Sequence, residues 1–206
     1  VAAAAGDSPE EAAPPASASD ASDAAGVMVR MTAAAQAAGL SSARFLSVEP
    51  GYYDQPLEWR RDRLGASSVE ELCKSVVLQN TRIEDGDDPR RVRCVLVIIQ
   101  YVAKLNKDKL TAIAREMEAS RGLPPLGKKQ YNLRLLDGDV CAALTGFEHN
   151  AVTPIGLDLP VVISDKAASV PAGHIWLGGG HVDLKLQLSL ADIVGPLGAV
   201  VGDVTG

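Results

Sequence analysis

The sequence predicts an α+β domain built on a mixed β-sheet with flanking helices, and three observations carry that expectation. Residues 92–101 (VRCVLVIIQY) are β-branched and apolar on both faces, the mark of a central buried strand. Helical and strand-like stretches follow one another without a regular βαβ rhythm, which favours a mixed sheet over a doubly wound parallel one. The chain is 47% hydrophobic but only 4% aromatic, so its core must be assembled from Val, Leu, Ile and Ala. At 206 residues, one domain plus an extension is the expected organisation.

Residues 1–26 are Ala, Ser, Pro and acid with no periodic apolar face, and read as a low-complexity acidic tail. The domain is expected over 27–206. Val27, Met28, Met31, Ala35 and Ala38 share one helical stripe, and Gly39 is placed to end that helix. Residues 44–48 are a short strand, whereas 50–66 read as irregular and hold the basic cluster Arg60, Arg61 and Arg63. Ser67 and Ser68 followed by Glu70 and Glu71 carry a capping-box signature for a short helix. Residues 73–80 (CKSVVLQN) form a strand with Lys74 at its mouth, and 82–91 a polar turn.

Asn106 caps a helix reaching Glu118, with Leu110, Ile113, Ala114 and Met117 on one face. Residues 131–136 are a strand, and Asp137 opens a short helix that stops at Gly146. Further strands fall at 161–164 and 174–177. In the next, Leu184, Leu186 and Leu188 alternate with Lys185 and Gln187, so the leucines are expected inward and Lys185 outward. Ser189 and Asp192 open a last helix, and 199–204 add an edge strand.

Charge and composition narrow the function. The net charge is −6, yet Asp7, Glu10, Glu11, Asp20 and Asp23 all lie in the tail, leaving 21 acidic against 20 basic residues in the rest. Any nucleic-acid site must therefore be a local patch. Cys73, Cys94 and Cys141 are odd in number and widely spaced, which argues against a disulfide framework or zinc site and for a reducing compartment, the cytoplasm. No apolar run reaches the roughly 20 residues that span a bilayer, and the start of the chain lacks a signal-peptide pattern. His149, His174 and His181 lack metal-ligand spacing. GLPPLGKK (122–129) imitates a phosphate-binding loop. However, Lys129 stands where a magnesium-binding hydroxyl belongs, and Pro124 and Pro125 remove two N–H donors.

Two glycine-containing stretches are more informative. TGFEHNAVTPIG (145–156) joins a helix to a strand, with Asn150 at a position that tolerates a left-handed backbone. Such a loop can present backbone N–H groups to a ligand, although a surface turn reads the same way. Gly178, Gly179 and Gly180 after a strand permit close backbone approach or a tight bend.

Taken in order, CKSVVLQN, VLVIIQY followed by KLNKDKL, TGFEHNAVTPIG, and WLGGG before LKLQLSLADI resemble the YbaK/ProX (EbsC-like) aminoacyl-tRNA deacylases, relatives of the prolyl-tRNA synthetase editing domain. The resemblance covers about residues 27–206. It implies a mixed-β, barrel-like domain that hydrolyses a mischarged amino acid from tRNA without metal or cofactor. That tRNA is commonly the one for proline, carrying Cys or Ala, and a synthetase is a possible partner. Lys74 falls at the family's pocket lysine. The family loop reads Gly-x-x-x-Pro, and here Asn150 replaces the glycine ahead of Pro154. The resemblance thus points to Lys74, Asn150, Ala151, Val152, Thr153 and Pro154 for catalysis. Gly146, His149, Gly178, Gly179, Gly180 and His181 would bind substrate. The basic residues that often follow the glycines are absent here, where His181-Val182-Asp183 stands instead. A non-catalytic module of the same fold that binds tRNA ends or a synthetase remains the alternative. In either case RNA contact is expected through Arg60, Arg61, Lys104, Lys107, Lys128 and Lys129.

Overall fold

Strand β3 (Cys94–Gln100) is the centre of the molecule. Side chains alternate across a strand. Leu96 and Ile98 therefore enter one core, and Val95, Val97 and Ile99 enter a second on the opposite face. All five are almost completely buried, as the run of β-branched residues predicts. The computed structural model describes residues 18–84 and 86–206.

Around β3 lies a five-stranded mixed sheet in the order β4 (Leu133–Leu135), β2 (Cys73–Asn80), β3, β5 (Val161–Ser164) and β8 (Val200–Gly202). β2 pairs antiparallel with β3 and β4, while β5 runs parallel to both β3 and β8. A second, antiparallel sheet contains β1 (Arg44–Ser47), β7 (Leu184–Ser189) and β6 (His174–Gly178). One isolated bridge, Leu72 to Trp176, joins the two. The sheets stay open, which corrects the expected barrel. The edge strands β4 and β8 have three residues each and β1 has four, too few to carry pairing onward around a closed wall.

Helix α1 (Ala18–Ala37) places Val27, Met31 and Ala35 in the first core, against β2, β3, β6 and β7. It begins at Ala18 rather than Val27, so the division at residue 26 falls inside a helix; Ala is the best helix former, and Ala24 is already buried. Residues 1–17 of the expected tail lie outside the described residues. α3 (Lys107–Ser120) covers the second core with Leu110, Ile113 and Ala114, and the Asn106 side chain caps it by accepting from the Asp108 and Lys109 N–H groups. α4 (Gly138–Thr145) ends at Gly146 with φ 73°, and α5 (Leu190–Val194) is capped by Ser189.

Two local expectations are revised. Part of the stretch expected to be irregular forms α2 (Leu57–Leu64), ended by Gly65 at φ 67°. Its polar sequence LEWRRDRL shows almost no apolar stripe, which is why periodicity misses it. The Ser68–Glu71 capping box exists, with the Glu71 carboxylate accepting from the Ser67 and Ser68 N–H groups, but it closes a 3₁₀ turn.

A third apolar cluster, holding Val48, Tyr52, Leu64, Leu72 and Trp176, covers the outer face of the small sheet. For that reason Lys185 does not point to solvent. It is 3% exposed, under the rings of Tyr52 and Tyr53.

Candidate active site

β2 is longer than β4, and its unmatched half forms one wall of a cavity of about 390 Å³. Leu136 N–H donates to the Val77 carbonyl, so the polar groups of Val77 face the β4 side. By alternation, those of Ser75 face the same way. No strand pairs with Ser75 there, and Ser75 lines the cavity. Its hydroxyl is buried and meets no partner among the described residues. Lys74 lines the same cavity with its ammonium 5.7 Å from the centre of the Tyr101 ring, and Arg60 sits 5.1 Å from that ring.

The opposite wall is the loop after α4. Asn150 adopts φ 64°, the left-handed region its sequence position suggested. Three hydrogen bonds fix the backbone around it. Ala151 N–H donates to Glu148 O (3.0 Å), Gly180 N–H donates to Ala151 O (2.9 Å), and the Tyr53 hydroxyl donates to Asn150 O (2.9 Å). The next N–H, that of Val152, donates to no backbone or side-chain acceptor among the described residues, and Val152 lines the cavity.

The glycine cluster explains how the loop comes so close. A Cβ on Gly178 would stand 2.6 Å from the Val152 carbonyl oxygen, and one on Gly179 would stand 2.9 Å from the Leu184 carbonyl. Gly180 has φ 97°, and a Cβ there would stand 3.0 Å from the Met31 side chain and 3.2 Å from that of Val27.

Of the residues singled out by sequence, Lys74, His149, Asn150, Val152 and Gly178 therefore share one cavity. Ala151, Thr153 and Pro154 are buried behind the loop surface; Gly180 holds the loop through its bond to Ala151 O, whereas Gly179 packs on Leu184. Gly146 ends α4 away from the lining, and His181 accepts from the Asp183 N–H through Nδ1 outside it. His174 pairs with the buried Glu71 at 3.4 Å. Tyr53, Ser75 and Tyr101 line the cavity but carried no sequence signal beyond two adjacent tyrosines in a stretch read as irregular.

Burial dominates the electrostatics. It raises the Tyr53 and Tyr101 hydroxyls well above their ordinary range, so both stay protonated donors. The Cys73 thiol, pushed up to about 12, is inert, and burial also raises the thiol of Cys141 at the cavity wall. Lys185 is lowered to about 7, chiefly by burial. Among the described residues no group of three or more His, Cys, Asp and Glu side chains could hold a metal ion, and no helix is long and apolar enough to cross a membrane.

Of the basic residues expected to meet RNA, Arg60 lies nearest the cavity, over the Tyr52, Tyr53 and Tyr101 rings. Arg61 pairs with Asp62 and Lys128 with Asp108; Lys104, Lys107 and Lys129 are exposed. A larger, shallower depression of about 760 Å³ adjoins the cavity through Leu136 and contains Arg91, Arg93 and Arg121. It holds none of the expected catalytic or substrate residues.

No family model matches the sequence, and no curated protein matches it. Solved structures do. A protein described as a candidate trans-editing enzyme for prolyl tRNA synthetase superposes with a TM-score of 0.66 at 18% identity, over 87% of this chain and 97% of its own. A protein from a study of computational epitope grafting onto scaffolds gives 0.64 at 18% identity over 87% and 97%. A protein described as hypothetical gives 0.63 at 21% identity over 87% and 99%. The chain thus has the fold of the candidate prolyl trans-editing protein, in keeping with the resemblance to the YbaK/ProX deacylases read from its motifs.

Proposed function

We propose that the chain is a trans-editing aminoacyl-tRNA deacylase, hydrolysing the ester of a mischarged tRNA, with tRNA for proline carrying Cys or Ala as the first substrates to test. The observation that carries this reading is the cavity itself. A lysine, an unpaired strand edge at Ser75 and Val152, whose N–H has no acceptor among the described residues, line one space of about 390 Å³.

An aminoacyl ester is already activated, so the site must position water and stabilise the developing oxyanion. Water attacks the ester carbonyl; the bond to the ribose oxygen breaks, that oxygen takes up a proton, and free amino acid and tRNA leave. The Val152 N–H stabilises the oxyanion. Lys74 supplies a compact positive charge to the same centre or to the terminal phosphate. The Ser75 carbonyl and hydroxyl accept from the substrate ammonium. Asp137, Glu148 and His149 also line the cavity. In this proposal the neighbouring ribose hydroxyl or a substrate thiol, rather than one of those three, assists the attack. One methylene is worth only about 1–3 kcal/mol, so discrimination rests on cavity size and is modest. Arg60, with Lys104, Lys107 and Lys129, guides the RNA, and binding should weaken steeply with salt. The free thiols of Cys73, Cys94 and Cys141 suit a cytoplasmic setting.

Incubating the full chain with a panel of mischarged tRNAs tests the reading. Release of one or two small amino acids, abolished by Lys74→Ala, is expected. Tight tRNA binding with no release from any substrate would instead favour the non-catalytic module, which the replacement of the loop glycine by Asn150 makes a specific rival.

A further inference from the structure

Lys185 is a buried lysine that the reaction above does not use. It lies on β7 opposite Gly178, and its ammonium reaches inward to two acceptors, the Val182 carbonyl at 2.6 Å and the Tyr53 hydroxyl at 3.0 Å. The Tyr52 and Tyr53 rings cover it, at 4.8 and 4.2 Å from their centres. The Tyr53 hydroxyl has a single proton, and the Asn150 carbonyl can only accept. That proton is therefore committed to Asn150, and Lys185 must be the donor to Tyr53. The result is a directed chain from ammonium to hydroxyl to the carbonyl of the one left-handed non-glycine residue in the described structure.

We propose that Lys185 is a positioning residue for the cavity loop: acting through Tyr53, it fixes the Asn150 carbonyl and thereby the direction of the Val152 N–H. The role in hydrolysis rests on the deacylase reading; the coupling from Lys185 to the loop does not.

A non-glycine residue in the left-handed region persists only when its surroundings hold it there. Of the other two tethers, the bond from Ala151 N–H holds the other end of the same peptide, and the Gly180 bond to Ala151 O holds the next peptide, which carries the Val152 N–H; Tyr53 is the tether on the Asn150 carbonyl itself. A charged donor also makes a stronger hydrogen bond than a neutral one. The grip on Asn150 should then follow the charge of Lys185, whose proton is held with a midpoint at about 7. The groups facing Lys185 are Asp183 on its own segment, Tyr52 and Tyr53 above it, Arg60 from α2, and Tyr101 and Cys73 from the large sheet. Asp183 favours the charge while Arg60 opposes it. The Tyr and Cys groups are kept neutral by burial near pH 7.

The test uses the full chain, with amide resonances of Asn150, Ala151 and Val152 and the side-chain resonances of Lys185 followed across neutral pH. The loop amides and Lys185 should share one inflection near 7. Tyr53→Phe should leave the Lys185 titration in place but remove that inflection from the loop. Lys185→Met, which keeps length and apolar fill, should remove it altogether. His149 and His181 remain in both variants, so an inflection of theirs would survive both. On a substrate that the parent protein hydrolyses, Tyr53→Phe should lower kcat on the order of 10-fold with KM little changed, since a misplaced oxyanion donor acts on the transition state. Loop amides that inflect unchanged in both variants would overturn the proposal, as would a loop indifferent to Lys185 titration in the parent. If Lys185→Met fails to fold, Tyr53→Phe alone decides the question. Coupling without hydrolysis of any substrate would support the positioning and sink only the deacylase reading.

Discussion

Replacing Gly178 by Ala probes the direct packing contact between the small sheet and the cavity loop. The added methyl carbon would lie 2.6 Å from the Val152 carbonyl oxygen and 3.2 Å from the Ala151 carbonyl group. Both neighbours are backbone, so neither can rotate away as a side-chain end could. Ordinary van der Waals contact begins at 3.4 Å, so loop and strand must separate by about 0.8 Å. Gly178 has no positive φ, so backbone strain does not contribute and the clash acts alone. Overpacking of this kind costs about 1–3 kcal/mol of stability. A catalytic group displaced by about 1 Å loses on the order of 10²-fold in rate. Gly178→Ala should therefore remain folded, with a lowered melting temperature, and lose about 10²-fold in kcat on a substrate that the parent protein hydrolyses. Circular dichroism melting and single-turnover deacylation measure the two effects separately. Parental activity in a folded Gly178→Ala protein would refute the idea that the loop at Val152 supplies the oxyanion contact.

Other perturbations separate charge from packing. Lys74→Ala should cost about 10²-fold or more in deacylation but about 0.5 kcal/mol or less in stability, and Lys74→Arg should rescue poorly because a planar guanidinium does not replace a compact ammonium; an active Lys74→Ala protein would remove Lys74 from the site. Glu118 accepts from Arg91 (2.7 Å), the Val92 N–H (2.9 Å) and the Tyr131 hydroxyl (2.6 Å) while itself buried. Glu118→Ala strands the Val92 and Tyr131 donors, leaves Arg91 with the Pro124 carbonyl, and should cost about 3–5 kcal/mol in urea unfolding; a loss below about 1 kcal/mol would mean water replaces the carboxylate. For Lys185 the folded midpoint of about 7 lies below the ordinary lysine value of 10.5, so the unfolded chain binds the extra proton between those values. Stability should then rise with pH through about 7 towards the ordinary lysine range, by at most a few kcal/mol because the tyrosine rings offset part of the burial cost. Lys185→Met should flatten that rise, which denaturation at several pH values would detect.

Much of this molecule was legible in the linear chain, and much was not. β3 was readable because a strand buried on both faces must be apolar at every position, and 95–99 satisfy that without reference to anything else. The caps at Asn106 and Ser189 were readable because each depends on neighbours a few residues away, and the left-handed Asn150 because Asn tolerates that backbone. Lys74, Asn150, Val152 and Gly178 entered the expected site through motif order, although spacing could not say that Ala151, Thr153 and Pro154 would lie behind the surface. α2 escaped because a polar helix has no stripe to find.

The open sheets, the free edge at Ser75 and the burial of Lys185 were decided only by the tertiary structure. Ser75 faces the cavity because β4 stops short of it, a relation between residues at 75 and 133–135. Alternation along β7 puts Lys185 on the face opposite the leucines, which in an isolated sheet is the solvent face. Here that face is roofed by Tyr52 and Tyr53, more than a hundred residues away in the chain. Period-2 patterning tells which residues share a face but not what covers it. The covering elements alone turned an ordinary surface lysine into a buried donor linked to the cavity loop.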